Sequence, residues 1–263
     1  VRYDLSRYEA VLLDLDGTVF KEEHALPGAV ELLTRYQATG RRYACLSNHT
    51  YSAVRISERL RRMGIEVDPG HVYTAGDAAA DFVMEQLGPR PRVFNLATES
   101  FREALNGRVD WAEKAGDACD VVVAGSPVSL FATEDRQQVA VTLLRSGARL
   151  LGMCADRVYP SPRGIEIGVG ALTMMLAYAA NVPPTFTGKP QPVFFNDLCR
   201  RLGVNPRACV LIGDNLESDI GGARSVGMDA IVTLTGVTQR EHLFDLPEKL
   251  RPTGVIEDLR ELL

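Results

Sequence analysis

The segment Val11-Leu-Leu-Asp-Leu-Asp-Gly-Thr-Val19 constrains this chain more than any other. An apolar run of the kind that forms a strand buried on both faces leads straight into two carboxylates at i and i+2, positions that share one face of a strand. Gly17 lets the backbone turn sharply beside a ligand. Chance would place the pattern D-x-D-G-T in roughly a few chains per thousand of this length, so it is specific. An Asp-Gly hairpin turn would need a second strand at once, whereas Lys21-Glu-Glu-His24 follows the short apolar Val19-Phe20. A calcium-binding loop starting at Asp14 would need Gly and Glu where Val19 and Ala25 stand, and is excluded.

The rest of the chain repeats a strand–helix grammar. Ala29, Val30, Leu33 and Tyr36 fall at helical spacing after Pro27 and before Gly40, and a strand at 42–46 ends in Ser47-Asn48. A helix over about 52–63 and a strand at 71–74 follow. Near the other end come a helix over 192–202, a strand at 208–212, a Gly-Asp loop, a helix over 218–226, a strand at 230–234, and a short strand with a closing helix from Val255 to Leu263. This βαβ order predicts an α/β fold, a doubly wound parallel-sheet Rossmann-like core. Between the halves lies a block with its own strands (93–96, 120–124) and helices (134–145, 169–180), flanked by Gly88-Pro-Arg-Pro-Arg92 and Asn181-Val-Pro-Pro184. Such Pro and Gly clusters punctuate elements, so the expected division is a core of residues 1–86 and 182–263 with an inserted α/β domain at 87–181.

Composition narrows the partners. A net charge of −5 supplies no basic field for nucleic acid or anionic lipid. No long uninterrupted apolar span suggests a membrane segment. Five scattered cysteines with no C-x-x-C pair read as buried thiols in a reducing compartment, so the expected location is the cytoplasm.

In a parallel α/β sheet, ligands bind outside the carboxyl ends of the strands. Four segments bring reactive side chains there: Asp14 with Asp16, Ser47 with Asn48, Lys189 in Thr187-Gly-Lys-Pro190, and Asp214 with Asp219 in Gly213-Asp-Asn-Leu-Glu-Ser-Asp219. Ser47-Asn48 alone is an ordinary turn or cap, and Gly-Lys-Pro an ordinary surface turn. Their joint appearance at strand ends favours one site.

These motifs resemble the haloacid dehalogenase superfamily, and specifically its NagD-type branch of p-nitrophenyl, nucleotide and sugar phosphatases. Asp14-Leu-Asp-Gly-Thr18, Leu46-Ser-Asn48, Gly188-Lys-Pro190 and Gly213-Asp-Asn-Leu-Glu-Ser-Asp-Ile220 match its four motifs in order. Ala155-Asp-Arg-Val-Tyr-Pro160 and Gly168-Val-Gly-Ala-Leu172 resemble the branch's large cap. The resemblance implies that Asp14 is the nucleophile of an aspartyl-phosphate mechanism, with Asp16 as acid and base. It further implies that Mg²⁺ sits on the carboxylates of Asp14 and Asp214 and the backbone carbonyl of Asp16.

Hard oxygen ligands suit Mg²⁺, and an ionised Asp14 repels a phosphate about 4 Å away by roughly 4 kcal/mol at an effective dielectric near 20. A divalent ion and Lys189 are needed to overturn that repulsion. Ser47 and Asn48 are candidates to hold phosphoryl oxygens, Asp219 to orient Lys189 or a metal-bound water, Thr18 to brace the turn, and Asn215 to cap or support the metal. The expected reaction is hydrolysis of a small phosphorylated metabolite, with p-nitrophenyl phosphate as artificial substrate.

A phosphotransferase on the same scaffold is chemically close. A phosphoacceptor regulatory module fits less well, because such modules usually lack a large insert and a residue like Asp16 to discharge the intermediate. Relatives pair through their caps, so a homodimer is the assembly that the resemblance allows. Cys154-Ala155, where relatives often have Asn-Pro, Ser126-Pro127, and the absence of a Gly after Thr18 depart from the pattern outside the hydrolytic core. Asp156, Arg157 and Tyr159 are candidate leaving-group contacts, and His24 and His49 read as turn or surface residues.

Overall fold

A computed structural model describes residues 3–161 and 163–263, so residues 1, 2 and 162 lie outside it. The chain divides into two compact units: one holds the stretch up to Ser47, Ala53–Tyr73 and Lys189–Leu263, the other Asn48–Ser52 and Thr74–Gly188.

The first unit is built on a six-stranded sheet. In spatial order its strands are Gly254–Ile256, Asp229–Thr233, Cys209–Gly213, Ala10–Asp14, Tyr43–Ser47 and Val72–Thr74. Counted along the chain, that is the order 3-2-1-4-5-6 of a Rossmann sheet, with the order reversing between Ala10–Asp14 and Cys209–Gly213. Ala10–Asp14 pairs in parallel with Cys209–Gly213 on one side and Tyr43–Ser47 on the other. Every residue of these three strands is buried, as the unbroken apolar runs require of a sheet covered on both faces.

On one face Val11, Leu13, Cys45 and Ile212 pack with Leu32 and Leu33 of helix Ala29–Thr39 and Ile56 and Leu60 of helix Ala53–Arg62. Helix Pro192–Leu202 contributes Phe194, fully buried with its ring centroid 5.0 Å from that of Tyr73. Gly40 closes its helix in the left-handed conformation, as its placement predicted, and Gly203 closes helix Pro192–Leu202 in the same way.

The second unit has a five-stranded parallel sheet in the spatial order Pro184–Phe186, Arg149–Gly152, Val121–Ala124, Arg92–Leu96, Asp110–Trp111. Its core joins strand residues such as Phe94, Val122 and Leu150 to Leu143 of helix Glu134–Arg145 and Leu176 of helix Val169–Ala180.

The division differs from the boundaries expected at 87 and 181. Helix Ala75–Gln86 buries Ala75, Ala79 and Val83 in one cluster with Val93, Val121 and Val123, and so packs as part of the second unit. Pro184–Phe186 is a strand of the second sheet, paired with Arg149–Gly152. The Pro and Gly clusters taken for hinges are loops within that unit: Gly88 and Arg90 turn the chain with positive φ, and Asn181 is the left-handed cap of its helix. A small hairpin does follow the Asp-Gly turn, pairing Phe20–Lys21 with His24–Ala25, but it turns at Glu22-Glu23 rather than at Gly17. Among the described residues no helix is long and apolar enough to cross a membrane.

Candidate active site

Three strand ends of the first unit converge at the point where its strand order reverses. Asp14 ends its strand and is buried, Ser47 ends the neighbouring strand and is buried, and Asp214 follows Gly213 on the other side. Lys189 lies 3% exposed among carboxylates, with its ammonium paired to Asp14 and, at 2.7 Å, to Asp219 Oδ1. Asp16 lies beyond the strand end and is exposed, and Ser47 Oγ donates to its Oδ2 at 3.5 Å.

Local sequence explains how each carboxylate is aimed. After Asn215 the chain makes a wide turn over Leu216–Gly221, in which Ile220 N–H reaches back to the Asn215 carbonyl at 3.2 Å. Wide turns of this type recur at functional sites. The turn brings Asp219 Oδ2 within 3.0 Å of the donating Asn215 N–H while Oδ1 accepts from Lys189. Asn215 Oδ1 accepts from the Glu217 and Ser218 amides and caps the turn. The closeness of Asp219 depends on Gly213, where a Cβ would lie 2.5 Å from the Asp219 carboxyl carbon.

Asp214 is fixed by a loop that the sequence reading missed. The Val237 N–H donates to Asp214 Oδ2 at 2.7 Å and the Thr238 N–H to the Asp214 carbonyl at 3.1 Å, while Thr235 Oγ1 donates to the Gly17 carbonyl at 2.6 Å. The signal available was Gly236 three residues past strand Asp229–Thr233, since a glycine near a strand end marks close backbone approach. Thr18 is fully buried; its N–H donates to the Leu15 carbonyl at 3.2 Å within the turn, while its hydroxyl has no hydrogen-bond partner among the described residues.

Burial, reinforced by repulsion from Asp219, raises the Asp14 carboxyl well above its ordinary range, against the lowering pull of Lys189. The same two causes raise Asp214 to about 7. Burial works against the Lys189 charge, yet Asp14 and Asp219 override it and hold the ammonium protonated. Three buried carboxylates thus face one buried ammonium. One oxygen from each of Asp14, Asp214 and Asp219 lies within 4.8 Å of the others, an all-oxygen donor set of excess negative charge that fits a hard divalent cation such as Mg²⁺. Asp219, expected to orient Lys189 or a metal-bound water, is the third carboxylate of this group.

The remaining candidates make contacts of their own. Asn48 belongs to the second unit, where its amide donates to Asp156 Oδ2 at 3.0 Å. The Tyr159 hydroxyl donates to Glu166 at 2.7 Å, and Arg157 is exposed. His49 packs its ring near Tyr51 at 5.4 Å, and His24 is exposed in the small hairpin.

This arrangement has relatives among known proteins. A family model described as haloacid dehalogenase-like hydrolase matches residues 11–108, and a second, described as HAD-hydrolase-like, matches residues 186–262. The chain is 30% identical to 5'-nucleotidase YutF of Bacillus subtilis over 98% of both chains. It is a haloacid dehalogenase-like hydrolase. Another relative is the acid sugar phosphatase of Staphylococcus epidermidis, 28% identical over 97% of this chain and 96% of that one. The crystal structure of glycerol phosphate phosphatase Rv1692 from Mycobacterium tuberculosis in complex with magnesium superposes with a TM-score of 0.89 at 28% identity, covering 98% of this chain and 77% of the other. The family resemblance read from the four motifs is thereby borne out.

Proposed function

We propose that this protein is a Mg²⁺-dependent phosphomonoesterase that hydrolyses small phosphorylated metabolites through an aspartyl-phosphate on Asp14. The observation that carries the reading is the buried cluster in which Lys189 joins Asp14 to Asp219 beside Asp214. The relatives named nucleotidase, sugar phosphatase and glycerol phosphate phosphatase support small phosphate esters as the substrate class.

In this reading a carboxylate oxygen of Asp14 attacks phosphorus and displaces the ester oxygen, which takes a proton from Asp16. Asp16 then removes a proton from water, the water attacks the phosphoaspartate, and Asp14 and inorganic phosphate are released. Lys189 keeps Asp14 oriented and offsets phosphoryl charge, Asp219 holds Lys189, and the Ser47 hydroxyl and the main-chain amide of Asn48 bind phosphoryl oxygens. Mg²⁺ held by Asp14, Asp214 and the Asp16 carbonyl would neutralise the charge that otherwise keeps a phosphate dianion away. Asn215 supports the site by capping the turn that carries Asp219.

The second unit acts as a cap that selects the leaving group. Thiols outside any disulfide, four of them buried, support a cytoplasmic location.

The test is phosphate release from p-nitrophenyl phosphate and a panel of phosphorylated metabolites. Turnover should require Mg²⁺, vanish with excess chelator, and vanish in Asp14→Asn. Undiminished turnover in either condition would reject the nucleophile and metal assignments.

A further inference from the structure

We infer that Asp156 is a positioning residue that acts through Asn48 on the two backbone segments flanking it, an inference that rests on the phosphatase reading above. Asp156 Oδ2 accepts from Asn48 Nδ2 at 3.0 Å. An ionised carboxylate makes such a bond roughly twice as strong as a neutral acceptor does.

Both partners are held in place by backbone. On the Asp156 side, the Gly170 N–H donates to the Asp156 carbonyl at 2.8 Å and the Gly168 N–H to the Arg157 carbonyl at 2.8 Å. Any side chain at these glycines is excluded, because a Cβ on Gly168 would lie 2.2 Å from the Asp156 oxygen and one on Gly170 2.4 Å from that of Ala155. The start of helix Val169–Ala180 is thereby pressed onto residues 155–157.

On the Asn48 side, Gly188 fills the role of the opposite wall. Its N–H donates to the Met153 carbonyl at 2.7 Å, and a Cβ there would come within 2.8 Å of Asn48 Oδ1. The chain beyond Asn48 is tied down in turn: the Gly76 N–H donates to the His49 carbonyl at 3.2 Å, Thr98 Oγ1 to the Thr50 carbonyl at 3.4 Å, and the Ser52 N–H to Ser100 Oγ at 3.3 Å.

Asn48 therefore stands wedged between Asp156 and Gly188. One peptide bond before Asn48 is Ser47, and one peptide bond after Gly188 is Lys189. The setting of the Asn48 amide fixes the backbone from which both of these residues depart. A misplacement of about 1 Å at reacting groups costs on the order of a hundredfold in rate, so this contact bears on turnover although Asp156 itself need not touch substrate.

The sequence reading had offered Asp156 as a leaving-group contact, and the two roles make opposite predictions. A residue that positions phosphoryl-binding groups matters equally to every ester. A leaving-group contact matters differently to each.

The experiment measures kcat and KM for p-nitrophenyl phosphate and for an alkyl phosphate, together with thermal melting, in Asp156→Ala, Asp156→Asn, Asn48→Asp and the exchanged pair Asn48→Asp/Asp156→Asn. Asp156→Ala should lower kcat/KM tenfold or more, by the same factor for both esters. Asp156→Asn, whose amide oxygen still accepts, should lose much less. Asn48→Asp sets two carboxylates against each other and should lose heavily, and the exchanged pair should recover most of that loss. Calorimetric binding of inorganic phosphate in Mg²⁺, which needs no turnover, should weaken about tenfold in Asp156→Ala.

Losses that differ between the two esters, a lowered melting temperature with unchanged kcat/KM, or an exchanged pair no better than Asn48→Asp would overturn the positioning role. A wild-type protein that binds phosphate but hydrolyses neither ester counts instead against the phosphatase reading. The phosphate-binding comparison then still decides for or against Asp156.

Discussion

Gly236 and Asp214 occupy space that only a glycine leaves open: a Cβ on Gly236 would lie 1.8 Å from Asp214 Oδ2, the oxygen that accepts from the Val237 amide. The methyl group of Gly236→Ala must push either the carboxylate or the loop aside. Both movements disturb the carboxylate proposed to hold the metal. We expect kcat/KM to fall at least tenfold and Mg²⁺ affinity to weaken in this variant, on the scale that a displacement of about 1 Å produces. Gly116→Ala, where nothing lies within 4 Å of the added carbon, is the control and should behave as wild type. Steady-state kinetics with a magnesium titration decide the matter, and equal behaviour of the two variants would remove Gly236 from the site.

Asp214 predicts a pH dependence of metal binding. Its carboxyl is raised to about 7, by burial first and by Asp219 second, and Asp14 moves in the same direction. A carboxyl whose folded value lies above its unfolded value contributes stability that is present at low pH and is lost as pH rises through the folded value. In the metal-free protein this contribution is therefore lost between about pH 4 and 7. A bound cation takes the place of the proton. Mg²⁺ should accordingly raise the melting temperature more at pH 7.5 than at pH 5.5, and its affinity should fall by up to about tenfold per pH unit below 7 for each proton displaced. Calorimetric titrations at both pH values test this, and a magnesium affinity that stays level across the range would contradict it.

Much of this site is legible in the sequence because its residues sit at strand ends. An apolar run that stops at Asp14 or Gly213 announces a strand end, and in a parallel sheet the strand ends share one edge. Helix Glu134–Arg145, with its period and its flanking turns, is equally plain. Helix Ala75–Gln86 is not, because it is rich in alanine and aspartate, and its small buried residues give only a faint apolar stripe. Its membership in the second unit is written in packing partners far along the chain. The Thr235–Thr238 loop was invisible for a related reason. It acts through backbone amides, which every residue but proline carries, so its sequence holds only the glycine that lets it come close. Asp219 was read as an orienter of Lys189, and the pairing at 2.7 Å places it there. Its share in the carboxylate group with Asp14 and Asp214 depends on the wide turn, which no periodicity in the sequence reveals.

The last prediction separates Asp16 from Asp14. Asp14 is buried against Lys189, whereas Asp16 is exposed and within 3.5 Å of Ser47 Oγ. An exposed carboxyl at the mouth of the site is suited to exchange protons with a leaving group and with water, and a buried, paired one to attack. Asp16→Asn should slow the first displacement most for alkyl phosphates, whose departing alkoxides need a proton. Nitrophenyl phosphate, whose leaving group departs readily as an anion, should be hurt less in that step. The same variant lacks the base that activates water, so the phosphorylated chain should accumulate. Acid-quenched mass spectrometry after nitrophenyl phosphate is added with Mg²⁺ should show one added phosphoryl group on Asp16→Asn and none on Asp14→Asn/Asp16→Asn. Equal slowing of phosphorylation with both ester types and no trapped adduct would return both roles to a single carboxylate.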